Sequence, residues 1–311
     1  MKVVLVGSLN IDYIAAVEHL PVAGETVPAS GLVRRFGGKG ANQAIAAARQ
    51  GARVAMIGCV GADDAGRAYC QRLHGEGIDV AGISTTNRAL TGTALIAVDK
   101  AAENTIIVAA GANGELKPAA IRAQRKRIAS ADILLLQLEV PMPTVIETVR
   151  MANRANVPVV LNPSPLRDGF PWGKCRLDTL IVNAGEAQAI FGLRADDLPA
   201  GLVRWQRALA ERQIERLIIT QGARPTICVS AAGCLKVATL AITPVDTVGA
   251  GDAFAGAFAA HRADGADLIK AIRFANCAGA LATLKPGAQE SIPDKVFTAR
   301  AVRRLNLRAR L

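Results

Sequence analysis

Aromatic side chains are scarce in this chain. Phe, Tyr and Trp together make up 4% of its 311 residues. A core must then be built from Ala, Gly and Val, as in the packed layers of α/β proteins. Cysteine is also sparse. The six, Cys59, Cys70, Cys175, Cys228, Cys234 and Cys277, form no Cys-x-x-Cys pair. They read as buried free thiols of a reducing compartment. Three His without ligand spacing give no zinc signal. No apolar run is long enough to span a membrane, and Val3–Val6 is too short for a signal peptide. A cytoplasmic protein is expected. No Gly-x-x-x-x-Gly-Lys-[Ser/Thr] segment occurs, which excludes the commonest ATP-binding loop.

Charge is unbalanced. Net charge is +11 and the pI about 9.8. Such an excess suits nucleic acid, an anionic membrane surface or anionic substrates. The Arg residues are scattered, however, with local clusters only at 122–127 and 300–310, and no nucleic-acid recognition motif accompanies them. Solvated helix faces account for them, and neither a nucleic-acid nor a membrane partner is expected. Apolar residues reach 51%, enough for one large α/β domain or two smaller ones.

The densest chemistry lies in Asp246-Thr247-Val248-Gly249-Ala250-Gly251-Asp252. It runs into the apolar segment 253–260, which predicts a buried helix. Gly249 and Gly251 leave backbone N–H groups bare at the helix start. The first N–H groups of a helix lack internal partners, and the helix dipole adds positive charge there. This makes an anion hole over Gly249, Ala250, Gly251 and Asp252. A carboxylate beside an anion site suits a general base that takes a proton from an attacking hydroxyl. An Asp that merely caps the helix would give the same local pattern.

Along the chain, short β-branched runs alternate with helical ones, as in doubly wound folds. Lys2–Val6 predicts a buried strand followed by Gly7-Ser8-Leu9-Asn10-Ile11-Asp12. Asn10 and Asp12 then lie past a strand's carboxyl end, where open α/β sheets bind ligands. Together they can grip adjacent hydroxyls, although Asx turn chemistry is the commoner use for them on local grounds. Tyr13–Val17 and Thr26–Val33 predict a flap. Phe36-Gly37-Gly38-Lys39-Gly40-Ala41-Asn42-Gln43 opens a second helix, over 41–50, with bare glycines and the donors Lys39 and Asn42. Thr93–Val98 and Thr105–Val108 predict a hairpin. Core strands over 54–57, 133–138, 157–161, 179–182 and 216–220 are followed by polar residues, among them Glu139, Asn162, Asn183 and Thr220. Polar residues recurring at strand ends are what a switch-point site requires.

Gly38–Gln43 paired with Asp246–Asp252 resembles the two signatures of the ribokinase-like carbohydrate kinases, the PfkB family. Gly7–Asp12, Gly24–Thr26, Glu103–Val108 and Gly111–Asn113 extend the resemblance from Val4 to about Pro293. It implies a three-layer α/β/α sandwich with a mostly parallel central sheet and a small β-sheet lid. One kinase domain would occupy 1–311, with lid strands at about 13–36 and 92–108. The implied reaction is ATP-dependent phosphorylation of the primary hydroxyl of D-ribose. Deoxyribose, fructose, a keto-deoxy sugar acid or a nucleoside is the nearest alternative, and a non-catalytic sugar or nucleotide sensor a more distant one.

The resemblance also implies residue roles. Asn10, Asp12, Gly38, Lys39, Asn42, Glu139 and Asp252 would hold the sugar. Asn183, Glu186, Thr220, Gly222, Gly251 and Asn276 would hold ATP, with Glu186 ordering Mg2+ through water. Asp246, Val248, Ala282, Lys285, Gly287 and Ser291 would hold a monovalent cation, K+, mostly through backbone carbonyls. The lid would pair two subunits as a homodimer.

Overall fold

A computed structural model describes residues 1–308 apart from Ala102 and Pro199. The end of the basic cluster, residues 309 and 310, lies outside the described residues. In chain order the elements are β1 (Lys2–Val6), β2 (Asn10–Val17), β3 (Ala29–Gly37), α1 (Lys39–Arg49), β4 (Arg53–Gly61), α2 (Asp64–Gly75), β5 (Asp79–Thr86), β6 (Gly92–Val98), β7 (Asn104–Ala109), α3 (Pro118–Ala123), α4 (Arg125–Ala129) and β8 (Ile133–Leu136). There follow α5 (Met142–Arg154), β9 (Val159–Leu161), β10 (Leu177–Asn183), α6 (Ala184–Phe191), α7 (Leu202–Glu211), β11 (Ile214–Gln221), β12 (Arg224–Ser230), β13 (Gly233–Val237), α8 (Ala250–Ala263), α9 (Leu268–Ala282) and α10 (Lys295–Arg308).

Nine strands form the central sheet in the order β13-β12-β11-β10-β9-β8-β1-β4-β5. Every neighbouring pair from β11 to β5 is parallel, while β12 and β13 close one end antiparallel. Both faces are covered, which is why the strands read as continuous apolar runs. Side chains alternate between the two cores. Val3 and Leu5 of β1 pack against α1, α2, α8 and α9, whereas Val4 and Val6 pack toward α3, α5 and α7. This is the expected three-layer sandwich.

A second sheet has the order β3-β2-β6-β7 and is separate from the first. It is the expected lid, with two boundary corrections. β2 begins at Asn10 rather than Tyr13, and β3 spans Ala29–Gly37 rather than Thr26–Val33. The cause is cross-strand pairing. Asn10 faces both Gly37 and Gly92, so the ladder continues through residues whose local chemistry favours turns. Asn10 and Asp12 therefore sit on the first residues of a lid strand, held in extended backbone. Leu32, Val33, Leu95, Ile106, Ile107 and Val108 are exposed on the lid.

Among the described residues, no helix is long and apolar enough to cross a membrane. All six cysteines are free; four are buried, but Cys70 and Cys234 are only half-buried.

Candidate active site

Asp252 lies in the first turn of α8 and is 5% exposed. Gly249 caps that helix in the left-handed region at φ +79°, a conformation that favours glycine. Three of the four amides expected in the anion hole, those of Gly249, Gly251 and Asp252, have no protein acceptor among the described residues. The fourth, Ala250 N–H, donates to Thr247 O at 3.3 Å. The Asp252 carboxylate itself accepts from two side-chain amides, Asn42 Nδ2 at 2.9 Å on Oδ2 and Gln43 Nε2 at 2.9 Å on Oδ1. Asp252 caps nothing, because α8 has no side-chain cap.

That contact depends on how closely α1 and α8 approach. Gly256, one turn beyond Asp252 on the same face of α8, lies against the backbone of α1. A Cβ on Gly256 would stand 2.5 Å from Ala46 Cβ and would press on the Gln43 carbonyl. Only the missing side chain lets Asp252 reach Asn42 and Gln43.

The expected sugar-side residues converge where β1, β8, the lid and α1 meet. Asn10 is 4% exposed, and its Oδ1 accepts from Asn113 Nδ2 at 2.7 Å. Asn113 also grips the Leu9 backbone through Leu9 N at 2.9 Å. Glu139 accepts from the Ser8 hydroxyl and, at 3.0 Å, from Lys39 N–H, so it braces the start of α1. Asp12 has no protein hydrogen-bond donor among the described residues, and its carboxylate lies over Gly37, where a Cβ would collide with it. Burial, then the charges of Glu139 and Glu290, push its pKa up to about 7. An unpartnered carboxylate in this setting suits a ligand that donates hydroxyl protons.

Across Asp252 lies a cavity of 210 Å³ lined by Lys39, Asn162, Asn183, Glu186, Thr247 and Asp252, among others. It adjoins a second cavity of 280 Å³ with walls from Leu240, Ile242, Phe254, Gly279 and Ala280. Thr220, Thr247 and Gly251 line both. An apolar slot opening onto bare amides at a helix start can hold a flat apolar ring system with an anionic tail.

Asn183 and Glu186 hold one another in a capping box at the start of α6, with bonds of 2.8 and 2.9 Å. Both line the smaller cavity. Thr220 donates to Val182 O at 3.3 Å, and Gly222 lies in the turn between β11 and β12 and lines the larger cavity. Asn276 also lines it, but its amide is tied to protein. Its Oδ1 accepts from Thr226 at 2.6 Å, and its Nδ2 donates to Val237 O and Ala238 O at 3.2 and 3.0 Å. It anchors the 237–245 loop that forms one wall of the slot.

The expected cation residues form one neighbourhood. The Asp246 carboxylate accepts from Val248 N at 2.9 Å and Gly287 N at 2.8 Å, while Asp246 N donates to Thr283 O, beside Ala282, at 3.1 Å. Ser291 is buried and donates to Ala288 O at 3.3 Å, and Lys285 is exposed. The carboxylate keeps free lone pairs, and Thr283 O, at the end of α9, lies beside it and accepts from Val245 N and Asp246 N. Oxygen donors of this kind are the type a hard cation takes.

Sequence reasoning did not single out Gln43, Leu240, Ile242 or Phe254. Gln43 sits inside a quoted motif, but only a contact with Asp252 gives its amide a purpose. The 237–245 loop carried a signal, an apolar run outside any regular element.

The sequence profile described as pfkB family carbohydrate kinase matches residues 1–295. A ribokinase of Haemophilus influenzae is 36% identical over 295 residues, 94% of this chain and 96% of that protein. A ribokinase of Bacillus subtilis is 34% identical over 297 residues, 94% of this chain and 97% of that one. The Arabidopsis thaliana ribokinase, solved with ribose and ATP, superposes with a TM-score of 0.89 at 27% identity. The match covers 97% of this chain and 98% of that one.

Proposed function

Since the chain belongs to the pfkB family of carbohydrate kinases, we propose that it transfers the γ-phosphoryl group of ATP to the primary hydroxyl of D-ribose, giving D-ribose 5-phosphate and ADP. Ribokinase relatives over most of the chain and a structural neighbour holding ribose and ATP support the substrates. The observation that carries the chemistry is Asp252, a buried carboxylate beside unpartnered helix-start amides, at the wall of a cavity that adjoins an apolar slot.

In this reading Asp252 accepts the hydroxyl proton. The new O–P bond forms as the bond from the γ-phosphorus to the bridging oxygen breaks, and the electron pair leaves with ADP. Gly249, Ala250, Gly251 and Asp252 supply the anion hole. The amides of Gly251 and Asp252 meet the charge on the moving phosphoryl group without reorganising, because the helix has already aimed them. Asp12, Asn10 and Glu139 take sugar hydroxyls, with Gly38, Lys39 and Asn42 at the start of α1. Asn42 spends one N–H on Asp252 and keeps the other. Positioning supplies much of the remaining rate.

ATP lies along Asn183, Glu186, Thr220, Gly222, Gly251 and Asn276. Mg2+ would neutralise phosphate charge there, and Glu186 would help hold it through water. K+ would sit with Asp246, Val248, Ala282, Lys285, Gly287 and Ser291, and the exposed apolar lid would pair two copies.

The test is Asp252→Asn in an ADP-release assay with ribose and a panel of other pentoses, hexoses and nucleosides. A general base contributes roughly 10²–10⁴-fold, so kcat is expected to fall by that much while ATP binding survives. Near-normal turnover would remove Asp252 from the mechanism.

A further inference from the structure

Asp252 is the meeting point of two chains of side-chain amides. In the first, Gln289 Nε2 donates to Asn42 Oδ1 at 3.1 Å, and Asn42 Nδ2 donates to Asp252 Oδ2 at 2.9 Å. Gln289 Nε2 also donates to the Tyr69 hydroxyl at 2.8 Å, and that hydroxyl donates to Gly37 O. In the second, Gln137 Nε2 donates to Gln43 Oε1 at 2.5 Å. Gln43 Nε2 donates to Asp252 Oδ1 at 2.9 Å and to Asn162 Oδ1 at 3.1 Å. Asn162 Nδ2 then donates to Ile181 O at 2.9 Å.

Both chains run one way. At every link between Asp252 and the two outer glutamines, Gln137 and Gln289, an N–H points toward the carboxylate and a C=O points away; the side branch through Asn162 runs outward, to Ile181 O. Turning any one amide would set oxygen against oxygen. The far ends expose the bias: Oε1 of Gln137 and Oε1 of Gln289 are buried with no partner. Leaving a buried carbonyl unpaired is costly, and packing alone would favour an apolar side chain at both places. The arrangement is understandable if its purpose lies at the other end, where two donors converge on one charge. Donors aimed at a carboxylate favour its charged form and fix its plane.

Gln289 is itself held in place. Arg49 of α1 donates to Gln289 O and Ile292 O, each at 2.8 Å, and is clamped by Glu76 at 3.0 and 2.6 Å.

We propose that Gln43 and Gln289 are positioning residues for phosphoryl transfer. Gln43 fixes one Asp252 oxygen directly, and Gln289 fixes the other through Asn42, so that the base is held in one plane and aimed. This rests on the reading of Asp252 as the base.

The experiment compares Gln43→Met and Gln289→Met in the full chain, alone and combined with Asp252→Asn. Methionine keeps the side-chain length and loses the donor. In the wild-type background kcat is expected to fall about tenfold for Gln43→Met, the scale of one lost hydrogen bond to a charge, and severalfold for Gln289→Met, whose lost bond is to the neutral Asn42 amide, with KM for ATP unchanged. In the Asp252→Asn background the residual rate is expected not to fall further, because the group acted on is gone. A merely structural role would lower both backgrounds equally. Should Gln289→Met not fold, Gln289→Asn, an amide one methylene short, reads the same coupling. If Asp252→Asn is crippled while the glutamine variants turn over normally, or lose the same factor in both backgrounds, the inference is overturned alone. If Asp252→Asn turns over normally, the base reading falls and takes the inference with it.

Discussion

Replacing Gly256 by Ala sets two effects of opposite sign against each other. Alanine is favoured over glycine in a helix interior by about 1 kcal/mol. Gly256 lies within α8, so propensity alone predicts a more stable protein. The structure says otherwise. The new Cβ would stand 2.5 Å from Ala46 Cβ and 2.9 Å from Ala47 N, where ordinary contact begins at 3.4 Å. Its neighbours are helix backbone and a Cβ, which cannot rotate away. The two helices must then part by roughly 1 Å, and overpacking of this kind costs about 1–3 kcal/mol. Steric strain is expected to outweigh propensity, lowering Tm by a few degrees.

The larger effect falls on chemistry. Asp252 is held one turn away, through bonds of 2.9 Å to Asn42 and Gln43. A misplacement of about 1 Å can cost roughly 10²-fold in rate. Turnover of Gly256→Ala is therefore expected to fall far more than its stability. Steady-state kinetics and a melting curve on the same sample check this. A raised Tm with kcat within about twofold of wild type would refute the reasoning that close approach of α1 and α8 places the carboxylate.

The raised pKa of Asp12, about 7, predicts that sugar hydroxyls bind its charged form, so binding releases a proton and KM for ribose falls as pH rises through 7. The same shift makes the free protein less stable as pH rises from the ordinary carboxylate range toward 7. Calorimetry in buffers of differing ionisation enthalpy reads the proton, and Asp12→Asn is expected to abolish it; no buffer dependence in wild type would refute the assignment. Exchanging Na+ for K+ is expected to raise activity, and Asp246→Asn, which keeps a carbonyl for Val248 or Gly287 N–H, is expected to blunt that response; equal rates in both salts count against the cation site. Ile107, 62% exposed on the lid, is expected at a subunit contact, so Ile107→Lys should halve the sedimenting mass; an unchanged mass would remove the lid from the interface.

Much of the frame was legible from local pattern. Apolar runs marked β1, β8 and β10, because strands buried on both faces carry no alternation to confuse with surface. The helices at 39–49 and 250–263 announced themselves by glycines at their starts and small apolar residues after. Asn10 and Asp12 were harder. Their local chemistry favours a turn, and only pairing with residues 37 and 92 makes them strand. The antiparallel pair β12 and β13 was not marked at all: β12 is buried on both faces, Ile227 and Val229 in one core and Cys228 in the other, but both strands are short and flanked by turns.

What the sequence by itself determined is most of the parallel core strands, their alternation with helices, and the polar residues at the strand ends. Those follow from interactions within a few residues, and the motif at 246–252 carries its helix-start chemistry wherever it is placed. Only the tertiary structure decided which side chains meet. Asp252 and Gln43 are 209 positions apart, and Gln289 and Asn42 are 247 apart. No local pattern encodes those contacts, because they depend on two helices approaching to within the width of an absent methyl group. The direction of the amide chains is likewise a property of packing. An isolated glutamine favours neither end, and a buried charge at one end orients the amides that lead from Gln137 and Gln289 to it.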